Sequence, residues 1–329
     1  MSCKVSLHTC IHSAFAGIIL GLATLVSHTA QAQDWPTRPV KFIVPFGPGS
    51  STDVAARLVA DRLQEKWGKA AFIENKPGGD SMVAINAFVG ANDDHVIFVS
   101  PTSTFVAHPF RIAKLSYDRE RDLIPIVQMS SALVGLAVPE SLGVGNLREF
   151  IDHVRKNPGK LNFAASPSTS EMSMDVFLRE QKLTMTKVPY RDVVQAANDL
   201  STDRLHAIFA SVTIFQSGMQ GKTIRLISIT GDTKSDIAPG VIPAREQGYP
   251  VLGIEGGIGM FGPPSMSAAS RGKLAADVLE VVKRPEISSR LTTIGQVPAA
   301  GDAALLAQTI ARQHAAFAAM AEALNIKPE

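Results

Sequence analysis

The sequence predicts an α/β chain, because short β-rich runs alternate with amphipathic helical segments. The strand-like runs begin at Val40, His95, Leu133, Leu161, His206 and Ile224. A helix is predicted from Asp53 to Trp67, since Leu58, Val59 and Leu63 share one apolar face. A second amphipathic helix follows Asn146, which is a suitable cap. Strands separated by helices in this way indicate parallel pairing.

The length of the chain favours two domains. The sequence has 329 residues, of which 45% are hydrophobic and 19% charged, and a single core rarely grows to that size. No repeat, low-complexity tract or flexible linker divides it, so two domains are expected to share more than one crossing. We predict crossings within residues 127–139 and 253–264. Domain 1 would then be discontinuous, with residues 33–133 plus 254–329, and domain 2 would span residues 134–253.

The N-terminus has the pattern of a secretory signal. Lys4 precedes an apolar run from Ala14 to Val26, and Ala30-Gln31-Ala32 forms an A-x-A cleavage site. The run is shorter than the ~20 apolar residues of a membrane span, so a cleaved signal over residues 1–32 is favoured over an anchor. Cys3 and Cys10 would be removed with it, which excludes thiolate metal sites and cysteine redox chemistry from the mature chain.

Charge balance argues against a nucleic-acid partner. The chain has 32 basic and 30 acidic residues and no polybasic run, whereas nucleic-acid binding requires a basic patch that displaces counterions.

Motifs for catalysis are weak or missing. Residues 257–262 spell G-x-G-x-x-G, but Pro263 follows where a dinucleotide site needs a helix, so we expect a hinge or an interdomain crossing there. No G-x-S-x-G, H-E-x-x-H or phosphate-loop motif occurs, and no metal or cofactor is expected. A hydrolase that uses Ser51 or Ser103 is the alternative from a different class, and it would need an acid or a histidine beside the serine.

Five histidines follow the signal, and none has the spacing of a metal pair. His95 and His206 begin strand-like runs, where a packed or surface histidine is ordinary. His108 is the candidate for a hydrogen bond to a ligand, since it follows a hydroxyl-rich loop.

Three strand-like runs end in hydroxyl-rich loops. The first and third match a capping box, with Ser50 three residues before Asp53 and Ser168 three residues before Glu171. Each loop alone is typical of an ordinary helix start. Together they indicate a small-anion site, with a carboxylate as the favoured ligand. Ligands of open α/β sheets bind beyond the carboxyl ends of strands, where helix N-termini offer unpaired N–H groups and a positive dipole end.

Six segments, in order along the chain, carry a family resemblance. They are "WPTRPVKFIVPFGPGSSTDVAARLVADRL", "ENKPGG", "LSYDRERDLIPIVQMSSALVGLAVPESL", "NPGKLNF", "VPYRD" and "VIPAREQGYP". The chain resembles the Bug family, the periplasmic solute-binding components of tripartite tricarboxylate transporters. The resemblance implies a two-domain periplasmic-binding-protein fold, type II-like, that closes over a small carboxylated solute in the cleft between the domains.

The resemblance also implies partners and a location. The protein would be a periplasmic monomer without enzymatic activity that delivers its ligand to integral-membrane permease subunits. A membrane signalling protein that senses the closed form is the alternative partner.

The resemblance implies a set of ligand-binding positions in the three loops. They are Phe46, Pro48, Gly49, Ser50, Ser51, Thr52 and Asp53 in the first loop, Ser100, Thr102, Ser103 and Thr104 in the second, and Ser166, Ser168, Thr169 and Ser170 in the third.

The chain departs from the family pattern in several places, two of which concern the candidate ligand site. Glu171 stands where a histidine is common, and Ala210-Ser211 stand where an Asp-Asn pair often follows the strand. We expect Glu171 to point outward as a capping acid. If it faced the cleft, it would repel a second ligand carboxylate and favour an amine or a neutral distal end.

Overall fold

The computed structural model describes residues 35–166, 169–190, 193–231 and 234–328. The predicted signal over residues 1–32, its cleavage site and both cysteines lie outside the described residues. Contacts separate residues 1–37 from a second unit, which begins at Arg38 and holds all the helices and strands described.

Twelve strands occur in the described residues. They are β1 Val40–Val44, β2 Ala71–Asn75, β3 Val96–Pro101, β4 Ile124–Ala132, β5 Val134–Pro139, β6 Asn162–Ala165, β7 Thr186–Lys187, β8 Ala207–Ser211, β9 Ile224–Ile229, β10 Gly256–Gly262, β11 Gln296–Val297 and β12 Gly301–Asp302.

The helices connect these strands. The α-helices are α1 Ser51–Trp67, α2 Met82–Ala91, α3 Thr102–Val106, α4 His108–Arg111, α5 Arg119–Asp122, α6 Leu147–Lys156, α7 Thr169–Glu180, α8 Val193–Ser201, α9 Gln216–Gln220, α10 Ala268–Val282, α11 Pro285–Thr293 and α12 Ala303–Leu324. Short 3-10 helices span Gly79–Ser81, Glu140–Leu142, Val212–Phe215 and Pro250–Gly253.

The strands form two mixed sheets. The first sheet has the order β11-β4-β10-β3-β1-β2, with β12 also paired to β4. In it β1 runs parallel to β2 and β3, whereas β10 runs antiparallel to β3 and β4. The second sheet has the order β7-β6-β8-β5-β9. Here β6 runs parallel to β7 and β8, and β5 runs antiparallel to β8 and β9.

All six predicted strands are present, which confirms the α/β prediction. The expected parallel pairing is right for β1 to β3 and for β6 to β8, but it is wrong for β4, β5, β9 and β10. Parallel neighbours require a crossover connection. The strand β10 instead follows the return of the chain from the second sheet, and β5 follows β4 after one residue, so neither has a crossover helix before it.

The chain crosses between the sheets twice, and the two crossings are hydrogen-bonded to each other. Leu133 alone separates β4 from β5, and the return lies between β9 and β10. Thr230 N–H donates to Val134 O at 2.8 Å, and Ser131 Oγ donates to Gly256 O at 3.0 Å. We call residues 131–134, 230 and 256 the crossing junction. The domain bounds given above stay a prediction.

The G-x-G-x-x-G segment is a strand directly after the return crossing, and the expected hinge or interdomain crossing there stays a prediction. Residues 256–262 form β10, between β3 and β4. Its glycines permit close packing: a Cβ on Gly257 would lie 2.4 Å from Gln128 Oε1, and one on Gly259 would lie 2.8 Å from Leu306 Cδ1. Glycine in a strand often marks such an approach.

Apolar clusters cover the sheets, and one of them joins elements from both. In that cluster Met172 and Val176 of α7 pack with Phe317 and Met320 of α12. Helix α7 follows the second-sheet strand β6, whereas α12 packs on β4 and β10 of the first sheet. The α7–α12 contact therefore holds the two sheets together at a second place. Among the described helices, none has the length and hydropathy to cross a membrane.

Gly135 lies in the middle of the second sheet, and we expect its replacement to destabilise the fold. A Cβ there would lie 2.6 Å from Ser228 O and 2.7 Å from Leu226 Cδ1. Gly135→Ala should therefore lower the free energy of unfolding by about 1–3 kcal/mol, measured by urea unfolding followed by circular dichroism. Gly90→Ala is the control, because no atom lies within 4 Å of its Cβ position and alanine stabilises a helix interior by ~0.5–1 kcal/mol. Equal stability of the two variants would contradict the packing described for β5.

Candidate functional site

A cavity of about 230 Å³ lies between the two sheets. Both sheets and the helices that follow their strands contribute to its walls. Seven of the positions implied by the family resemblance line it: Ser51, Thr52, Ser103, Ser166, Thr169, Ser170 and Ser211.

The other described positions of that set lie outside the cavity lining. They are Phe46, Pro48, Gly49, Ser50, Asp53, Ser100, Thr102, Thr104, Glu171 and Ala210. Ser168 lies outside the described residues.

The first loop turns β1 into α1 through a helix cap. Ser50 Oγ accepts a hydrogen bond from Asp53 N–H at 3.2 Å, which confirms the hydroxyl half of the predicted capping box. The acid half differs, because Asp53 Oδ2 accepts from Gly49 N–H at 2.9 Å and not from Ser50. Gly49 has φ +86°, a conformation that favours glycine. Helix geometry leaves the amides of Ser51 and Thr52 without an intrahelical acceptor, and both residues line the cavity.

Asp53 holds the first loop through hydrogen bonds and is not part of the cavity lining. Its side chain is 2% exposed, and it accepts hydrogen bonds from Arg57 Nε at 3.0 Å and Asn75 Nδ2 at 2.8 Å. Burial raises the pKa of Asp53, but the hydrogen bonds from Arg57, Asn75 and Gly49 together outweigh it and hold the pKa below its usual value. Asp53 is therefore ionised at neutral pH and fully occupied by the protein itself.

In the second loop, Ser100 and Thr102 are buried, whereas Ser103 and Thr104 are half-buried. Thr102 is fully buried, and its Oγ1 accepts from Gly257 N–H at 3.2 Å. Ser100 is also fully buried and donates to Pro101 O at 3.1 Å. Only Ser103 of the four predicted positions in this loop lines the cavity.

The third loop follows β6 of the second sheet and places the N-terminus of α7 at the cavity wall. Ser166 is fixed at both backbone groups, since its N–H donates to Phe209 O at 3.0 Å and its carbonyl accepts from Glu171 N–H at 3.1 Å. Thr169 and Ser170 are the first residues of the helix, so their amides have no intrahelical acceptor. Thr169 Oγ1 is buried and has no hydrogen-bond partner among the described residues.

Glu171 points away from this cavity. Its carboxylate pairs with Lys187 Nζ at 2.9 Å, and its side chain is 42% exposed. The outward orientation agrees with the expectation, whereas the capping role stays a prediction, because its partner Ser168 lies outside the described residues.

His108 is a structural histidine. It is fully buried, its Nδ1 lies 2.8 Å from Tyr117 Oη, and its Nε2 lies 2.9 Å from Asp80 O. Burial lowers its pKa more than nearby Asp80 raises it. Both ring nitrogens are occupied and the residue is not part of the cavity lining, so the expected hydrogen bond to a ligand is wrong.

Ala210 and Ser211 illustrate the alternation of a strand. Ala210 is buried in an apolar cluster of the second sheet, whereas Ser211 lines the cavity with its Oγ 2.9 Å from Thr213 Oγ1.

Sequence reasoning missed the remaining lining residues, which come from the crossings, from the C-terminal part and from β3, α7 and β8. They are Pro101, Ala132, Val134, Ser173, Phe209, Thr230, Ile254, Gly256, Ile258, Gln296 and Gln313. Gln296 and Gln313 are each 2% exposed. Gln296 Oε1 accepts from Ser130 Oγ at 3.0 Å. The predicted crossings were the available signal for the first group, but no local motif marks the two glutamines.

The electrostatics of the cavity come from the backbone. None of the described lining residues has an ionisable side chain. Two helices of 17 and 12 residues begin at its wall, and each N-terminus stabilises an anion by roughly 0.3–2 kcal/mol. Hydroxyls of Ser51, Thr169 and Ser170 stand beside these amides. No described acid or histidine is part of the cavity lining.

One group of potential metal ligands lies elsewhere. The side chains of Asp93, Asp94 and His95 approach within 4.8 Å of one another. Arg38 pairs with Asp93 at 2.5 Å and with Asp94 at 3.3 Å, and its hydrogen bond lowers the pKa of Asp93. This group forms an ion-pair network around an arginine.

The chain matches the family model described as the tripartite tricarboxylate transporter family receptor, TctC, over residues 55–326. It therefore belongs to this family of non-enzymatic, periplasmic solute-binding receptors, which confirms the predicted family and excludes the hydrolase alternative.

Similar proteins support the same assignment. The chain is 25% identical to a UPF0065 protein of Pseudomonas sp. strain P51, encoded in the tcbD-tcbE intergenic region, over 89% of this chain and 88% of that protein. A structure described as R. palustris Rpa4515 with adipate has a TM-score of 0.75 and 23% identity, and covers 90% of this chain and 100% of its own. MatC from Rhodopseudomonas palustris with bound malate has a TM-score of 0.68 and 24% identity, over 86% and 100%. Both structures establish the periplasmic-binding-protein fold.

We expect Asp53→Asn to destabilise the protein in a pH-dependent way. A folded-state pKa held below the unfolded value contributes stability above the unfolded pKa, near 3.8, and that contribution is lost as the pH falls through the folded pKa. The variant should therefore lose about 1–3 kcal/mol at pH 7 and approach the wild type below pH 3, measured by urea unfolding at both pH values. Asp61→Asn, an exposed change on the same helix, is the control. A loss that is the same at both pH values would contradict this role of the Asp53 charge.

Proposed function

We propose that this protein binds a small carboxylated metabolite in the cavity between the two sheets and delivers it to the membrane subunits of a tripartite tricarboxylate-type transporter. One observation carries the proposal: the N-termini of α1 and α7, which follow strands of different sheets, open onto the same uncharged cavity. Each helix start offers two unpaired amides and adjacent hydroxyls to a carboxylate.

Ligand-driven closure is the proposed mechanism. A carboxylate that accepts hydrogen bonds from Ser51 or Thr52 on one side and from Thr169 or Ser170 on the other contacts both sheets at once. Such a ligand binds the closed arrangement more tightly than an open one and shifts the population toward it. The membrane subunits would then recognise the closed form. In this proposal residues 33–133 with 254–329 and residues 134–253 move as the two domains.

The ligand class is proposed from the site and from its relatives. A cavity of about 230 Å³ is smaller than the pockets that hold drug-sized ligands, which favours an acid of about four to six carbons. Family structures are described with adipate and with malate, and both compounds fall in that range.

The proposed location is the periplasm. Residues 1–32 have the pattern of a cleaved secretory signal, and a similar solved structure is described as a periplasmic transporter. The signal also supports transport across the inner membrane as the context in which the ligand is delivered.

Thr169→Val tests carboxylate capture at the second helix start. The change removes a hydroxyl oxygen that is buried without a partner and keeps the shape of the side chain. The free energy of unfolding of the unliganded protein should stay equal or rise. A hydrogen bond to a charged group contributes about 1.5–3 kcal/mol, so the affinity for the bound acid should fall by about 10- to 100-fold. Isothermal titration calorimetry with succinate, glutarate, adipate, malate and the corresponding monocarboxylates measures this affinity.

Ser228→Ala is the matched control. Ser228 Oγ is likewise buried without a partner, but the residue is not part of the cavity lining. Its change should leave the affinity for every acid within twofold. The proposal would be contradicted if no acid bound the wild-type protein, or if both variants lowered affinity equally.

A further inference from the structure

Gln313 has a side-chain amide that the protein leaves unused. The residue lies on the buried face of α12 and is 2% exposed. Its Oε1 is buried and has no hydrogen-bond partner among the described residues. No described residue is paired with its Nε2 either. A buried carboxamide oxygen without a partner is unfavourable, and a hydrogen bond from a bound ligand would offset that cost.

The amide faces the ligand cavity. Gln313 lines the large cavity together with Gly256 and Ile258 of β10. A Cβ on Gly256 would lie 2.9 Å from Gln313 Nε2, so the absence of a side chain on Gly256 makes room for the amide. This close approach fixes the amide against the strand at the crossing junction.

No charged side chain lies beside Gln313 in the large cavity, since none of the described residues that line this cavity is ionisable. Gln313 also lines a separate cavity of about 60 Å³, where Arg245, Glu255 and Arg312 are found. None of these three charged side chains lines the large cavity. A second carboxylate or an ammonium group placed beside Gln313 would lose its water without gaining an opposite charge, which is costly.

A carboxamide pairs best with a group that can both donate and accept, because it offers one oxygen acceptor and one N–H₂ donor. Hydroxyl and carboxamide groups have this property and are neutral. A carboxylate only accepts, and an ammonium only donates.

We propose that Gln313 is a specificity-determining residue, and that the ligand is a monocarboxylic acid whose distal end is a hydroxyl or a carboxamide. The inference rests on the proposed function, because the helix N-termini hold the carboxylate while Gln313 selects the other end. The protein should accordingly discriminate against simple dicarboxylates and against acids with a free amine.

Matched acids test this selection. The wild-type protein would be titrated with succinate, succinamate, 4-hydroxybutyrate and butyrate, and with the five- and six-carbon homologues of each. At one chain length, the monoamide or the hydroxy acid should bind at least tenfold more tightly than both the dicarboxylate and the unsubstituted acid. Calorimetry gives the dissociation constants.

Variants of Gln313 separate recognition from shape. Gln313→Met keeps the length of the side chain and removes both polar atoms. It should reduce the preference for the hydroxy acid or monoamide to less than threefold and leave the affinity for the unsubstituted acid within threefold. Gln313→Glu is isosteric and adds a negative charge to an uncharged cavity, so it should weaken every acid, the dicarboxylates most. Thr309→Val is the control, because Thr309 lies one turn earlier on α12 and lines only the small cavity.

The outcomes distinguish this inference from the proposed function. Tightest binding of a dicarboxylate, or an equal loss for all acids in Gln313→Met, overturns the role of Gln313 and leaves the receptor function intact. Failure of every acid to bind the wild-type protein overturns both.

Discussion

The hydrogen bonds between the two crossing segments are the constraint on which the cavity depends. At the crossing junction, Ser131 of β4 is hydrogen-bonded to Gly256 of β10 in the first sheet, and Val134 of β5 accepts from Thr230, which follows β9 of the second. The strands β3 and then β1 lie outward from β10, and β8 and then β6 lie outward from β5. The loops after β1, β3, β6 and β8 all line one cavity. Ala132, Val134, Thr230 and Gly256 of the crossing junction line it as well. The contact of α7 with α12 holds the second-sheet side of this arrangement against the first sheet.

This arrangement explains how the proposed anion site can lack a cation. A buried arginine or lysine would carry its own desolvation cost and would need a partner in the unliganded protein. Helix N-termini provide positive potential from backbone groups whose orientation the fold already fixes. Asp53 carries a carboxylate near the first helix start but is not part of the cavity lining. Arg57 balances its charge, and hydrogen bonds from Arg57 and Asn75 hold it. The amides of Ser51 and Thr52 thus remain available to a ligand. The hydrogen bond from Gly49 N–H to Asp53 Oδ2 also holds the first loop in place.

The sequence predicts local features well and long-range ones poorly. Alternating apolar runs predicted β1, β3, β5, β6, β8 and β9, and their hydroxyl-rich ends predicted the three loops that supply six of the lining residues. The strand β10 was missed because its glycines have low β-propensity; pairing on both sides and close packing against Gln128 and Leu306 hold it in the sheet. Gln296 and Gln313 were missed for a related reason, since only the tertiary fold brings these distant residues to the cavity. His108 was misassigned because the sequence does not reveal its buried contacts with Tyr117 and Asp80.

A crystal structure of the protein with the tightest-binding acid of the four- to six-carbon panel tests the central claim most directly. The account predicts that the ligand carboxylate lies in the cavity between the sheets. Its oxygens should lie within about 3.2 Å of an amide nitrogen of Ser51 or Thr52 and of one from Thr169 or Ser170. A carboxylate held instead by a charged side chain outside this cavity, such as Arg245 or Arg312, would contradict the claim that two helix N-termini capture the ligand.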